Sequence, residues 1–89
     1  MKPSPGVAWV MHDDAAYLAR LPQGPVIVLE GAAGLIWEEL VATDDVTGLT
    51  ERVRARLHDA PVDLSEQIDA FTAELLAAGW LARTDSSAS

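Results

Sequence analysis

The chain has 89 residues, enough for one domain, and its 49 % apolar share suffices for a single hydrophobic core. It has no cysteine, no secretion signal and no apolar run of membrane-spanning length. These absences exclude disulfides and thiolate chemistry and predict a soluble, cytoplasmic protein without membrane contact. Fourteen carboxylates against six Lys and Arg give a net charge of −8, which disfavours nucleic-acid partners because their phosphates are also negative.

Three strand-like segments follow a short N-terminal arm. Residues 1–6 are polar and proline-rich, which predicts a flexible arm. Residues 7–11 and 16–21 predict the first two strands, joined by an aspartate-containing turn. A Pro- and Gly-containing turn then leads into the third strand, Val26–Glu30. Such short connections favour an antiparallel meander with the third strand at an edge.

Three helices follow the strands. In the first, predicted over 32–42, Ile36, Trp37 and Leu40 recur at helical spacing, so Trp37 is expected to be largely buried. A second helix is predicted with Thr47 as its N-cap and an apolar stripe along one face, and it ends shortly before a proline.

The third helix has signals at both ends. Asp63 and Glu66 fit the acidic version of a capping box at its start, and Gly79 suits the C′ position at its end. Its predicted core stripe consists of Leu64, Ile68, Phe71 and Leu75. Leu76 widens this apolar face. Residues 83–89 are small and polar, which predicts a disordered tail.

No set of residues indicates catalysis or metal binding. His12 and His58 lie in separate turns without metal-ligand spacing, and no serine is accompanied by an activating His and Asp. Residues 31–34 open a helix after a strand but lack the lysine and the glycine spacing of a phosphate-binding loop. We therefore expect no enzymatic activity, no metal and no cofactor.

Half of the positive charge lies in the second helix, at Arg52, Arg54 and Arg56. Alternate residues of a helix are about 200° apart, so Arg54 points away from the other two and no basic stripe results. A solvent-exposed helix face is expected, with a surface for an anionic partner as the alternative.

The third strand is apolar on both faces. Ile27 and Leu29 point one way and Val26 and Val28 the other, so one pair remains outside if the other faces the helices. Only Pro25 and Glu30, at its two ends, would protect an open edge. The segment is either an ordinary buried strand or a site at which an extended peptide adds as a further strand.

These features together resemble the PqqD-like family of recognition elements for ribosomally made precursor peptides. The resemblance covers residues 7–82 and rests on four groups of residues: 26–29, Ile36-Trp37 with Leu40, the third-helix stripe, and Gly79-Trp80-Leu81. It implies an α+β fold, winged helix-turn-helix-like, in which a three-stranded antiparallel sheet precedes three helices.

The resemblance also implies a function. Such proteins are stand-alone peptide chaperones that bind the leader segment along the third strand, against the third helix, and present it to a separate modifying enzyme. Candidate peptide-binding residues are Val26, Ile27, Val28, Leu29, Glu30, Ile68, Thr72, Leu75 and Leu76. Val26 and Val28 are expected to line the groove together with the third helix. The alternatives are a winged-helix DNA-binding regulator, which the charge disfavours, and an interaction module or homodimer that pairs through the same edge strand.

Overall fold

The main sheet is a three-stranded antiparallel meander, which confirms the predicted arrangement. In the computed structural model, which describes residues 1–42 and 48–83, its strands are β2 (Val7–His12), β3 (Ala15–Arg20) and β4 (Val26–Glu30). The strand order is β2-β3-β4, so β4 is an edge strand, as expected.

A tight turn fixes the register of the first hairpin. Asp13 and Asp14 both adopt left-handed backbone conformations, with φ of 53° and 64°. Two such residues form the turn that matches the twist of paired strands, and Asp tolerates this conformation better than most residues. His12 consequently pairs with Ala15, and the register continues to Val7 and Arg20.

Alternation along the strands gives the sheet two distinct faces. The inner face, which packs on the helices, consists of Trp9, Met11, Ala16, Leu18, Ile27 and Leu29. The outer face consists of Ala8, Val10, Tyr17, Ala19, Val26 and Val28. Ala16 and Leu18, in the centre of the inner face, are fully buried.

Three helices in the described part of the chain complete the core on the inner side of the sheet. They are α1 (Ala32–Ala42), α2 (Leu49–Arg56) and α3 (Leu64–Ala78), which confirms the predicted number and order. α1 lies directly on β3 and β4 because Gly34 has no side chain. A Cβ at this position would lie 2.7 Å from the carbonyl oxygen of Leu29. The glycine therefore sets the distance between α1 and the sheet.

The helix starts differ from the prediction. Thr47, the predicted cap of the second helix, lies outside the described residues, and the observed N-cap of α2 is Gly48. Asp63 is the N-cap of α3, but its side chain makes no capping hydrogen bond. Its carboxylate instead accepts a 2.8 Å hydrogen bond from the amide of Gln67, so the predicted capping box with Glu66 is wrong.

The end of α3 is as predicted. Gly79 has φ of 84°, the N–H of Trp80 donates to the carbonyl of Leu75 (3.0 Å), and Gly79 is the C′ residue of a Schellman motif. The Arg20 guanidinium lies 4.5 Å from the Trp80 ring centre and donates to the carbonyl of Ala78 (2.9 Å), which ties β3 to the end of the helix.

One core joins the sheet and the helices. Trp37 of α1 is fully buried, which confirms its predicted position, and its ring meets that of Trp9 edge to face with centroids 5.9 Å apart. Leu40 of α1, Val53 of α2 and Ile68 of α3 complete the centre of this core. No helix in the described part of the chain is long and apolar enough to span a membrane.

The N-terminal residues, predicted as a flexible arm, include a short strand that pairs with the end of the described chain. β1 (Lys2–Pro3) pairs antiparallel with β5 (Leu81–Ala82), and the Ser4 N–H donates to the carbonyl of Trp80 (3.0 Å). The sequence does not reveal this pairing because its two strands are short and lie at opposite ends of the chain. Of the predicted disordered tail, residues 84–89 lie outside the described residues.

Candidate functional site

The free edge of β4 is the first part of the candidate site. β4 pairs with β3 on one side, and no strand within residues 1–42 and 48–83 pairs with its other side. An edge strand of this kind presents backbone N–H and C=O groups that can pair with another extended chain. Of the usual protective residues, only Pro25 and Glu30 are present, and they lie at its two ends.

The side chains of β4 divide between the two faces of the sheet. Ile27 and Leu29 are half-buried against the core, whereas Val26 and Val28 are 64 % and 42 % exposed on the outer face. The expectation that Val26 and Val28 line a groove with the third helix is therefore wrong. The side chains of β4 alternate between the two faces of the sheet. Ile27 pairs with the buried Leu18 of β3 and therefore points towards the helices, whereas the two valines point away from them.

A pocket of about 290 Å³ on α3 is the second part of the candidate site. We call it the α3 pocket. The other walls include Leu40, Leu49 and Met1, and the residues that α3 contributes are Ile68, Asp69, Thr72, Ala73 and Leu76. Ile68, Thr72 and Leu76 are four positions apart and lie on one face of the helix, as the sequence predicts. Leu75 is only 5 % exposed and packs in the core beside this face.

The lining of the α3 pocket also includes polar and charged groups. The Thr72 hydroxyl oxygen is buried, and no hydrogen-bond partner for it occurs in the described structure. Asp69 and Arg83 contribute opposite charges to the lining and are both solvent-exposed. A buried hydroxyl without a partner is available to a ligand that can donate or accept a hydrogen bond.

The predicted site residues therefore fall into two groups. Val26–Glu30 form the edge strand, and Ile68, Thr72 and Leu76 line the α3 pocket, whose walls include no residue of β4. Met1 and Arg83 were missed as pocket residues, since only the pairing of the chain ends brings them there. Leu40 and Leu49 could have been predicted as pocket residues, because they belong to the apolar stripes of the first two helices.

The arginines of α2 take part in ion pairs with α1 and with α2 itself. Arg56 lies 2.7 Å from a carboxylate oxygen of Glu38 and 2.9 Å from one of Glu39, and Arg52 lies 3.1 Å from Glu39. Arg54 pairs with Glu51 one turn earlier in its own helix. The arginine side chains stay partly exposed, as expected for a solvated helix face, but these glutamates offset their positive charge towards an anionic partner.

Opposing effects determine the pKa of Glu39 in this cluster. Partial burial raises the pKa, but the hydrogen bonds and charges of Arg56 and Arg52 together hold it below the ordinary value of 4.5. The same contacts, from Glu38 and Glu39, raise the pKa of Arg56. The cluster therefore joins α1 to α2 in its charged form.

Comparisons with known proteins agree with this fold. The family model for coenzyme PQQ synthesis protein D (PqqD) matches residues 5–81. A solved structure described as TbiB1 in complex with the TbiA(beta) leader peptide is similar in fold, with a TM-score of 0.75 and 20 % sequence identity. The match covers 96 % of this chain and 100 % of that one. No curated protein sequence matches the chain.

Proposed function

Because the chain belongs to the PqqD family, we propose that it binds the leader segment of a ribosomally made precursor peptide in the cytoplasm. It would then present that peptide to a separate modifying enzyme, without catalysis of its own. The observation that carries this proposal is the open edge of β4, which is apolar on both faces and protected only at its ends. The solved complex of TbiB1 with a leader peptide, on a similar fold, supports it.

The leader would bind by adding a strand to the sheet beside β4. Hydrogen bonds between the two backbones then provide affinity that depends little on side chains. Alternate leader side chains would meet Ile27 and Leu29 on the inner face, and the intervening ones would meet Val26 and Val28 on the outer face. Glu30, at the end of β4, would meet a basic residue of the leader.

Sequence preference would come from the α3 pocket. We assign to it an apolar side chain of the leader, packed on Ile68 and Leu76, with the Thr72 hydroxyl available for one hydrogen bond. The net charge of −8 favours a leader that carries Lys or Arg, and salt would screen this contribution.

The test is isothermal calorimetry with a synthetic leader of the cognate precursor peptide. We expect saturable binding that weakens at least about tenfold, a loss of about 1.4 kcal/mol, in Leu76→Asp and in Thr72→Arg. Matched controls are Ala77→Asp and Ala70→Arg, which place the same groups on exposed positions of α3 outside the pocket lining. These two variants should bind normally.

Two outcomes would contradict this assignment. Full affinity in both pocket variants, with peptide-induced chemical-shift changes in α2, would move the site away from the α3 pocket. Absence of leader binding by the folded wild-type chain would overturn the proposed function itself. Edge-to-edge pairing of two copies is the competing use of β4, and the leader would dissociate such a dimer.

A further inference from the structure

The outer face of the sheet is an apolar surface that the helices leave uncovered. Val10 is 59 % exposed, and the Tyr17 ring beside it on the central strand is 37 % exposed. With the two valines of β4 and the alanines Ala8 and Ala19, they form one continuous patch across all three strands. Contiguous apolar patches of a few hundred Å² often mark interaction sites on protein surfaces.

Cross-strand register divides this patch into two rows of different height. One row, the bulky row, consists of Val10, Tyr17 and Val28, which are cross-strand neighbours. The other, the alanine row, consists of Ala8, Ala19 and Val26, two residues further along each strand. Rows two residues apart are separated by about 7 Å. A shallow apolar depression of about 280 Å³ extends over the alanine row and the adjoining residues of β2 and β3.

We propose that this face binds a second copy of the chain by stacking of the two sheets. A two-fold axis that runs across the strands, between the two rows and in the plane of contact, places the bulky row of each copy on the alanine row of the other. Val10 then lies over the partner's Ala8, and Tyr17 over the partner's Ala19. The contact is isologous, since every residue pair occurs twice. The contact covers the outer-face side chains of Val26 and Val28 but leaves the backbone edge of β4 open, so the dimer is compatible with an added leader strand.

The charge distribution fits the same axis. Asp13, Asp14 and Glu30 all lie at one end of the sheet, beyond the bulky row. The proposed axis places the acidic ends of the two copies at opposite ends of the dimer, where their repulsion is smallest. Each copy still carries −8, so added salt should strengthen the association by screening.

The size of the face sets the expected strength. Three strands about 4.8 Å apart give a strip of about 15 by 20 Å, smaller than one side of a standard protein interface. We therefore expect a reversible dimer that forms at about 10 µM to 1 mM. The apolar centre without charged residues is typical of the core of a contact between identical subunits.

Sedimentation equilibrium of the full chain over this concentration range, at low and high salt, tests the proposal. We expect a monomer–dimer equilibrium that shifts towards the dimer at high salt. Val10→Asp should weaken it at least tenfold, and Ala8→Gln should do the same by filling the alanine row. Val62→Asp is the matched control, since Val62 is a fully exposed valine in the loop before α3. It should dimerise as the wild type does.

Circular dichroism of each variant establishes that it is folded, and both substituted positions are solvent-exposed. A chain that stays monomeric at all concentrations and both salt levels would overturn the proposal. Dimerisation of folded Val10→Asp and Ala8→Gln at wild-type strength would overturn it as well, and would point to another surface such as the edge of β4.

Discussion

At the scale of single residues, Trp37 has the largest part in the core. Its side chain is fully buried between the sheet and the helices and contacts the ring of Trp9 edge to face. Its position was predictable from sequence, because Ile36, Trp37 and Leu40 define the only wide apolar face of the first helix.

Replacement of Trp37 with alanine should lower the free energy of unfolding by about 3–5 kcal/mol, because it leaves a large cavity in the core. That is a large part of the total stability of a domain of this size. Urea denaturation followed by circular dichroism measures the change. Tyr17→Ala, which removes an exposed aromatic ring from the outer face, should cost less than about 1 kcal/mol. Equal losses in the two variants would contradict the burial of Trp37.

Glu39 makes the free energy of unfolding depend on pH, because folding lowers the pKa of its carboxyl group. Its folded-state pKa lies below the ordinary value of 4.5. The ion pairs therefore contribute fully above about pH 4.5, and their contribution is lost as the pH falls through the folded-state pKa.

Glu39→Gln should accordingly lower the free energy of unfolding at pH 7, and the difference from wild type should shrink below pH 4.5. Denaturation curves at several pH values provide the comparison. Glu51→Gln, which affects the exposed pair with Arg54, serves as the control and should change stability little. A difference between wild type and Glu39→Gln that is independent of pH would contradict the role of the cluster.

At the scale of secondary structure, the contact between α1 and the sheet depends on Gly34. This residue lies inside the helix and is buried, and a Cβ would also come within 3.3 Å of the backbone nitrogen of Ala16. Residues 31–34, considered as a phosphate loop from sequence, thus have a packing role at Gly34.

Gly34→Ala should destabilise the protein although alanine favours helices by about 1 kcal/mol. The methyl group would push α1 away from β3 and β4, an overpacking cost of about 1–3 kcal/mol before the helix gain is subtracted. Thermal denaturation measures the net effect. Ala32→Gly, at an exposed position of the same helix, should be only slightly destabilising. A higher melting temperature in Gly34→Ala would mean that α1 does not approach the sheet so closely.

Strands and helices could be predicted where the spacing of apolar residues determines them. Features that depend on competing side-chain contacts could not. Patterns of two and of 3.6 residues located all three strands of the main sheet and all three helices. The capping box failed because Gln67, one turn into α3, takes the carboxylate of Asp63. The alternation in β4 showed that two sets of side chains exist, but which set is buried depends on β3 and not on β4 itself.

At the scale of the whole molecule, the net charge and the positions of the charged residues disfavour DNA binding. The net charge is −8, and Arg52, Arg54 and Arg56 all pair with glutamates. Within residues 1–42 and 48–83, the helices therefore present no basic surface of the kind that such a regulator would use.

We predict no binding to duplex DNA tighter than about 1 µM at physiological salt. Fluorescence anisotropy with a labelled random-sequence duplex and with the DNA upstream of the chain's own gene measures this. A control titration at about 20 mM salt reveals any residual electrostatic binding. A sub-micromolar complex whose affinity falls steeply with salt would favour the regulator over the peptide chaperone.

The pairing of Lys2–Pro3 with Leu81–Ala82 closes the chain, by hydrogen bonds, into a ring of about eighty residues. Opening of either end therefore releases the other, so the backbone amides of Ser4 and Ala82 should exchange with deuterium through one common event. Because Met1 and Arg83 flank this junction and also line the α3 pocket, that event would remove part of the pocket wall. A ligand held there would slow exchange at two places nearly the whole sequence apart.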